Sequence, residues 1–546
     1  DWLDVVGRVK IDNYDNRSTY KAYASTSSLA SGSRGTYADT SSQSKNTYAD
    51  AIATLNKSFN DWSVNVNLGV SLSDSRYEMI GYEGGLKLIN FFAVHNIDFN
   101  KAWKAKQSGW HDQTRAIFAN AEIGWKSMIY LTATGRNDWD SRLAFSDYKS
   151  FFYPSVGLSA ILTSMFNAPD WLTYLKVRGS YTEVGNSYGR FMTTVTYPYD
   201  EQTQNWTSTS SYPNTKLKPE RTKSWEVGLD ARILNDISLN LTYYRSNTYN
   251  QTFYADLSLS SGYSNIPIQS GNIMNEGIEM ALGYNKQWKD FSFNTNYTLT
   301  WNKNRVKRLA DGVYNYATGQ SIQMPELSPL TYGHTDARLI LRVGGSMGDV
   351  YGQRLLKRDL NGYILNEEGV GLTMENKETY LGSILPKMNM GWSLGFGYKG
   401  VNLGMTFTGR FGGIVISETQ SVLDAAGVSK VSADVRDAGG VQINQGKVSA
   451  QTYYQAIQGT AAYYTYSATN VRLGELSLSY TLPKKWFDNK VGMTVGLVGK
   501  NLWMIYCKAP FDPELTTSAA SNFYQGFDAY MLPSTRNFGF NIKFQF

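Results

Sequence analysis

Residues 537–546 read Asn537-Phe538-Gly539-Phe540-Asn541-Ile542-Lys543-Phe544-Gln545-Phe546. Apolar side chains take Phe538, Phe540, Ile542, Phe544 and Phe546, and Asn, Gly, Lys and Gln fill the places between them. A period of two means a strand with one wholly apolar and one wholly polar face. Such a face needs an apolar partner, which is either a protein core or the hydrocarbon of a membrane.

The same pattern recurs upstream. Trp62, Val64, Val66, Leu68, Val70 and Leu72 alternate with Ser63, Asn65, Asn67, Gly69, Ser71 and Ser73. A tilted strand crosses the hydrocarbon layer in about 9–11 residues, and this run is long enough. Ile237 to Tyr243, Phe291 to Trp301, Met388 to Tyr398 and Val401 to Phe407 alternate likewise. Trp2 to Tyr14 and Thr47 to Phe59 also read as strands, whereas Arg17 to Ser44 is rich in Ser, Gly and Thr and carries no apolar periodicity.

The connections fall into two classes. Short ones lie at Asn60-Asp61, Lys126-Ser127, 164–170, Asn235-Asp236, 288–290, Lys399-Gly400 and 483–489. Long ones cover about 78–111, 138–150, 185–221, 251–269, 305–387, 412–466 and 506–534. About sixteen strands result, with short turns at one end and long loops at the other, which is the asymmetry of an outer-membrane barrel. Strict alternation from a periplasmic Asn60-Asp61 turn leaves Phe546 in the periplasm. Apolar parity slips between Val471-Leu473 and Leu476-Leu478-Tyr480, so a β-bulge is expected near Gly474-Glu475.

Composition agrees with this reading. Charged residues are 18% of the 546, below the roughly 25% of soluble proteins, and aromatics are 14%. Mean hydropathy is −0.37. No run of about 18 apolar residues exists, so helices do not span a membrane. Trp62, Trp125, Trp171, Trp288, Trp301, Trp392 and Trp486 lie near strand ends, where a membrane barrel carries its aromatic girdles. The net charge is +6, but Lys and Arg are scattered and leave no nucleic-acid footprint. The single cysteine, Cys507, excludes an internal disulfide. Asp1 is preceded by neither an initiator Met nor a signal peptide, as expected of a mature chain or a fragment.

Motif spellings that suggest chemistry lack its context. Gly344-Gly345-Ser346-Met347-Gly348 spells a nucleophile elbow, but no helical pattern follows it and only His95, His111 and His334 offer a base. Gly395-Phe396-Gly397-Tyr398-Lys399-Gly400 spells a dinucleotide fingerprint, yet Val401 to Phe407 alternates as a strand where a helix is required. The glycines there are expected to make room for something inside the barrel. Asp359-Leu360-Asn361-Gly362, with Glu367 and Glu368, lacks calcium-loop spacing, and no zinc constellation exists. Neither a metal, a cofactor nor a catalytic residue is expected. The long loops are rich in aromatics, among them Trp103, Trp110, Tyr453, Tyr454, Tyr463 and Tyr464. Trp206, Tyr212, Tyr314 and Tyr316 are the candidate ligand-binding rings at a pore mouth.

Several tracts resemble the SusC/RagA family of TonB-dependent outer-membrane transporters. They are Tyr153-Pro154-Ser155-Val156-Gly157-Leu158, Leu175 to Tyr181 followed by Gly185-Asn186, Leu217-Lys218-Pro219-Glu220-Arg221-Thr222 before Glu226 to Asp230, Asn275 to Glu279, Arg472 to Pro483, Lys500-Asn501-Leu502 and Asp512-Pro513-Glu514. The likeness runs from about Phe151 to Phe546 and is weaker before that. It implies an all-β transmembrane antiparallel barrel. Residues 1–546 would be its C-terminal part, about sixteen strands of a barrel of about 22, with the plug and N-terminal strands absent from this chain. The implied activity is TonB-dependent uptake of oligosaccharides or peptides across the outer membrane of a Gram-negative bacterium, beside a SusD-like lipoprotein. TonB would act through the absent N-terminal portion. The alternatives are a complete sixteen-stranded passive porin and a soluble all-β glycan-binding protein.

Overall fold

A computed structural model describes residues 2–26, 32–100, 103–200, 205–207, 209–315, 318–515, 517 and 522–546. Among them sixteen long strands form one antiparallel sheet. They are β1 (Leu3–Ala22), β2 (Thr36–Phe59), β3 (Trp62–Gly85), β4 (Trp103–Trp125), β5 (Ile129–Asp140), β6 (Phe151–Ile161), β7 (Leu172–Asn186) and β8 (Glu220–Ile233), followed by β9 (Ile237–Asp256), β10 (Asn265–Trp288), β11 (Phe291–Arg308), β12 (Met388–Tyr398), β13 (Val401–Phe411), β14 (Asn470–Leu482), β15 (Gly492–Cys507) and β16 (Asn537–Gln545). Each pairs with its neighbours in chain order, and β1 and β16 are the two edges of the sheet.

Turn chemistry sets this meander. Lys126 and Ser127, Leu234 and Asn235, and Lys399 and Gly400 all take positive φ, as a two-residue turn matched to the right-handed twist of a hairpin requires. Register then carries the apolar residues across the sheet. Leu68 lies opposite Ala53 and Ala119, Leu478 opposite Leu497, and Leu497 opposite Phe540. The expected bulge is present: Leu473 and Glu475 pair with Phe407 and Thr406, and Gly474 is left out of the ladder.

No described residue covers the apolar face. Leu497 is 65% exposed and Phe540 78%, and the same face carries exposed Val70, Ile117, Leu158, Val227 and Trp392 from distant strands. A belt this continuous is foreign to a soluble surface. Trp62, Trp171, Trp288 and Trp486 are exposed near the turn end, and Trp62 lies opposite Trp125. The other face is a polar ladder. Thr54 donates to Asn67, which donates to Asn65, and Arg8 forks onto Asp50 at 3.0 and 2.8 Å. Gly395 and Gly397 belong here: a Cβ at either would lie within 2.5 Å of the Asn294 or Ser292 side chain of β11.

The strands run further toward the loop end than their apolar periodicity indicates. Within the Arg17 to Ser44 stretch, read as lacking apolar periodicity, residues 17–22 and 36–44 supply the ends of β1 and β2, which pair from Leu3↔Leu55 to Ala22↔Thr36. Likewise β3 continues to Gly85, β4 starts at Trp103 and β11 ends at Arg308. Beyond the lipid depth both faces of a strand meet water, so its apolar period vanishes while its hydrogen bonds persist. Trp110 accordingly sits within β4, not in a loop. The candidate nucleophile elbow at 344–348 is a turn that leads into another strand, Asp349–Leu356.

Candidate functional site at the loop end

Every buried hydrophobic cluster among the described residues lies at the loop end. Three of the long connections, 309–387, 412–469 and 508–536, interlock there. Glu326–Thr331, Arg338–Arg342, Asp349–Leu356 and Met374–Ser383 form a four-stranded sheet. Ile414–Ser417 pairs with Thr465–Ser467, and Ile416 pairs in parallel with Phe527. Tyr332, Leu339, Val350, Ile384, Ile416 and Phe527 make one core from all three loops. Three helices, Glu418–Ala425, Lys430–Asp437 and Ala450–Ile457, each start on a serine, Ser417, Ser429 or Ser449, whose hydroxyl accepts a backbone N–H of the first turn.

Buried polar pins fix this layer. Ser417 donates to Asp528 at 2.6 Å. Asp336 accepts the backbone N–H groups of Gln353 at 3.1 Å and Ala461 at 2.7 Å. The buried Glu418 carboxylate receives the Tyr530 hydroxyl at 3.3 Å and faces His334 Nδ1 at 2.9 Å. Arg472, buried on β14, forks onto Asp512 at 3.0 and 2.8 Å and reaches Glu514 at 3.2 Å. Burial pushes the Tyr453 and Tyr466 hydroxyls up to about 12.

The candidate rings have different fates. Trp206 is 71% exposed, on a small hairpin where it meets Tyr199 edge-on at 5.1 Å. Tyr212 packs against the cluster of Ala255, Ile266, Ile268 and Ala310, with Tyr263 edge-on at 5.2 Å. Tyr314 is 51% exposed and lines a small cavity with Asn214, Lys216, Lys218, Asn250 and Gln269. Tyr316 lies outside the described residues. The structure therefore brings Tyr212 close to the hairpin that carries Tyr314, since Ala310 and Met324 share its cluster, and gives Trp206 a separate aromatic partner. Tyr453, Tyr454, Tyr463 and Tyr464 pack together with Leu356, Ile364 and Ile457.

Other groups escape single-residue reading. Arg190 stacks 3.7 Å above Trp110, Trp110 stacks on Tyr77 at 5.8 Å, and Arg190 donates to Asp112 at 2.7 Å. This joins the 187–219 connection to the β3–β4 hairpin. On the polar face Arg178 bonds Asp230 at 2.5 Å and Thr242 at 2.6 Å beside a cleft lined by Glu122, Lys176 and Glu226. Alternation marks all of these as polar-face residues, but only the register across three strands brings them together. Asp359 accepts the N–H groups of Asn361 and Tyr363, both at 2.9 Å, so its carboxylate closes a turn.

Residues 1–502 match the family model described as TonB dependent receptor-like, beta-barrel. The chain belongs to this family. TonB-dependent barrels are outer-membrane proteins of Gram-negative bacteria, and the uncovered apolar belt fits that setting. The chain is 24% identical over 537 residues to TonB-dependent receptor P3 of Formosa agariphila, covering 90% of this chain and 51% of the relative. It is 25% identical over 243 residues to TonB-dependent receptor SusC of Bacteroides thetaiotaomicron, covering 44% and 22%. The structure of the RagAB peptide importer in its open-open state superposes on 100% of this chain and 59% of that chain, with a TM-score of 0.77 at 18% identity. These likenesses are consistent with the SusC/RagA resemblance carried by its motif order. It spans about half the length of the curated relatives that cover most of it.

Proposed function

We propose that this chain forms the wall and the loop-end layer of a TonB-dependent importer that takes up oligosaccharides or peptides. The observation that carries the reading is the division of one sixteen-stranded sheet into an uncovered apolar face and a hydrogen-bonded polar face, with folded loops at one end only. A lipid-embedded wall around a polar passage needs that division. On this reading the loop layer faces the outside, the short turns and Phe546 face the periplasm, and the free edges of β1 and β16 join further strands of a barrel of about 22 that also holds the plug. TonB acts through the plug portion, and a SusD-like lipoprotein docks on the interlocked loops. Trp206 and Tyr314, exposed at the loop end, present rings to a sugar or peptide at the mouth. The likeness to the RagAB peptide importer supports a peptide as one cargo class, and SusC among the relatives keeps the assignment within this transporter type.

The test is uptake by cells that carry the full-length protein, with and without functional TonB, on defined oligosaccharide or peptide mixtures as sole nutrient. TonB-dependent growth is expected, together with a SusD-like subunit in the detergent-extracted complex. Equal uptake without TonB would favour a passive porin.

A further inference from the structure

The sheet has a gap in one place. The β11–β12 ladder ends at Trp301↔Met388, while β11 continues to Arg308. Asn302 donates its N–H to the Lys387 carbonyl at 3.1 Å, and Val306 exchanges backbone bonds with Gly344 and Gly345 at 2.8 Å. Asn304 lies between these anchors. By alternation its backbone N–H and C=O point to the same edge, and no described strand stands opposite them. The gap opens into a cleft of about 820 Å³, one wall of which is the 344–348 turn.

The cleft is cationic. Lys303, Arg305 and Lys387 line it. Arg305, half-buried, and Lys387, exposed at the rim, make no ion pair among the described residues, and Lys303 reaches Glu276 only at 3.8 Å. The one acidic group in the lining is Asp349. Its carboxylate already accepts the Ser346 N–H at 2.8 Å and the Tyr380 hydroxyl at 3.1 Å, and burial pushes it up from the ordinary carboxylate range. A partly desolvated guanidinium without counter-charge, with an exposed ammonium and an unpaired backbone N–H beside it, favours negative charge in the cleft.

We propose that this cleft binds an anionic group, a phosphate, sulfate or carboxylate, between Arg305, Lys387 and the Asn304 amide. The anion has two possible sources, the phosphate of a surrounding lipid headgroup and the acidic group of a solute. The position suits the first: Trp301, which shares the apolar parity of Leu299 and Tyr297, stands at the foot of the cleft, and tryptophan marks the headgroup level. Lining by the 344–348 turn also gives that glycine-rich segment a role that needs no nucleophile. The site is independent of which nutrient is carried.

The experiment uses the full-length protein in detergent and in nanodiscs. Inorganic phosphate and sulfate are titrated calorimetrically, and retention of lipid A is compared with that of phosphatidylcholine. Wild type is expected to bind one anion saturably or to retain lipid A selectively. R305Q/K387Q should weaken that binding at least tenfold, whereas R305K/K387R and the distant K447Q should keep it. Heat-modifiable migration in gels reports folding, and the charge-preserving variant serves where the glutamine variant does not assemble. Displacement by inorganic phosphate assigns a soluble anion, and lipid A retained against excess phosphate assigns the headgroup. Absence of saturable binding in either format, or equal binding by wild type and R305Q/K387Q, overturns the proposal.

Discussion

At the scale of single residues, parity decides consequence. Val66 and Asn65 are neighbours on β3, yet Val66 lies on the apolar face and Asn65 accepts a hydrogen bond from Asn67 on the polar one. Arg in place of Val66 or Leu68 should cost about 2–4 kcal/mol at lipid depth, and Asn65→Arg much less. A folding titration into lipid vesicles checks this, and equal costs would refute the membrane assignment. Arg472 is a second test. Its guanidinium is the main counter-charge for buried Asp512, so Arg472→Met should cost about 3–5 kcal/mol and release the 508–536 connection. Hydrogen exchange of that segment reads the release. Arg472→Lys should rescue only part of it, because an ammonium cannot match the two-pronged contact.

At the scale of elements, the loop layer behaves as a soluble domain standing on a membrane sheet. Its core, from Tyr332 to Phe527, is ordinary hydrophobic burial, so it should respond to conditions that leave the strands unchanged. The raised Tyr453 and Tyr466 hydroxyls give one such lever. Their folded values lie above the unfolded value of about 10. The folded layer therefore holds protons that the unfolded one releases, and the associated stability is present below pH 10 and lost as pH climbs toward 12. Proteolysis of the 412–466 segment should accelerate over that window while β-sheet circular dichroism stays constant. Simultaneous loss of both signals would mean that the layer and the sheet are one cooperative unit.

At the scale of the whole molecule, the apolar belt dictates the solvent. Because no described residue covers Leu68, Leu497 and Phe540, the protein should require detergent or lipid to remain monodisperse. Gel filtration of the full-length protein before and after detergent removal checks this, and a monodisperse species in plain buffer would contradict the belt.

The sequence by itself determined the all-β class, the parity of β3, β12 and β16, the short turns and the bulge at Gly474. Each of these is local, because a strand's two faces meet different media and a tight turn admits few residues. It did not reveal where strands end beyond the lipid: residues 17–22 and 36–44 show no apolar period, since water meets both faces of their strands. Nor did it separate Tyr212, half of a packed ring pair, from exposed Trp206, because both are aromatics in polar loops. The interlocked loops, the Glu418 and Arg472 pins and the cationic cleft beside Asn304 were decided by tertiary structure alone. They join residues far apart in the chain, 40 positions for Arg472 with Asp512 and 112 for Glu418 with Tyr530, through pairings such as Ile416 with Phe527, and the closing phenylalanine-rich strand finds its place only through its register against β15.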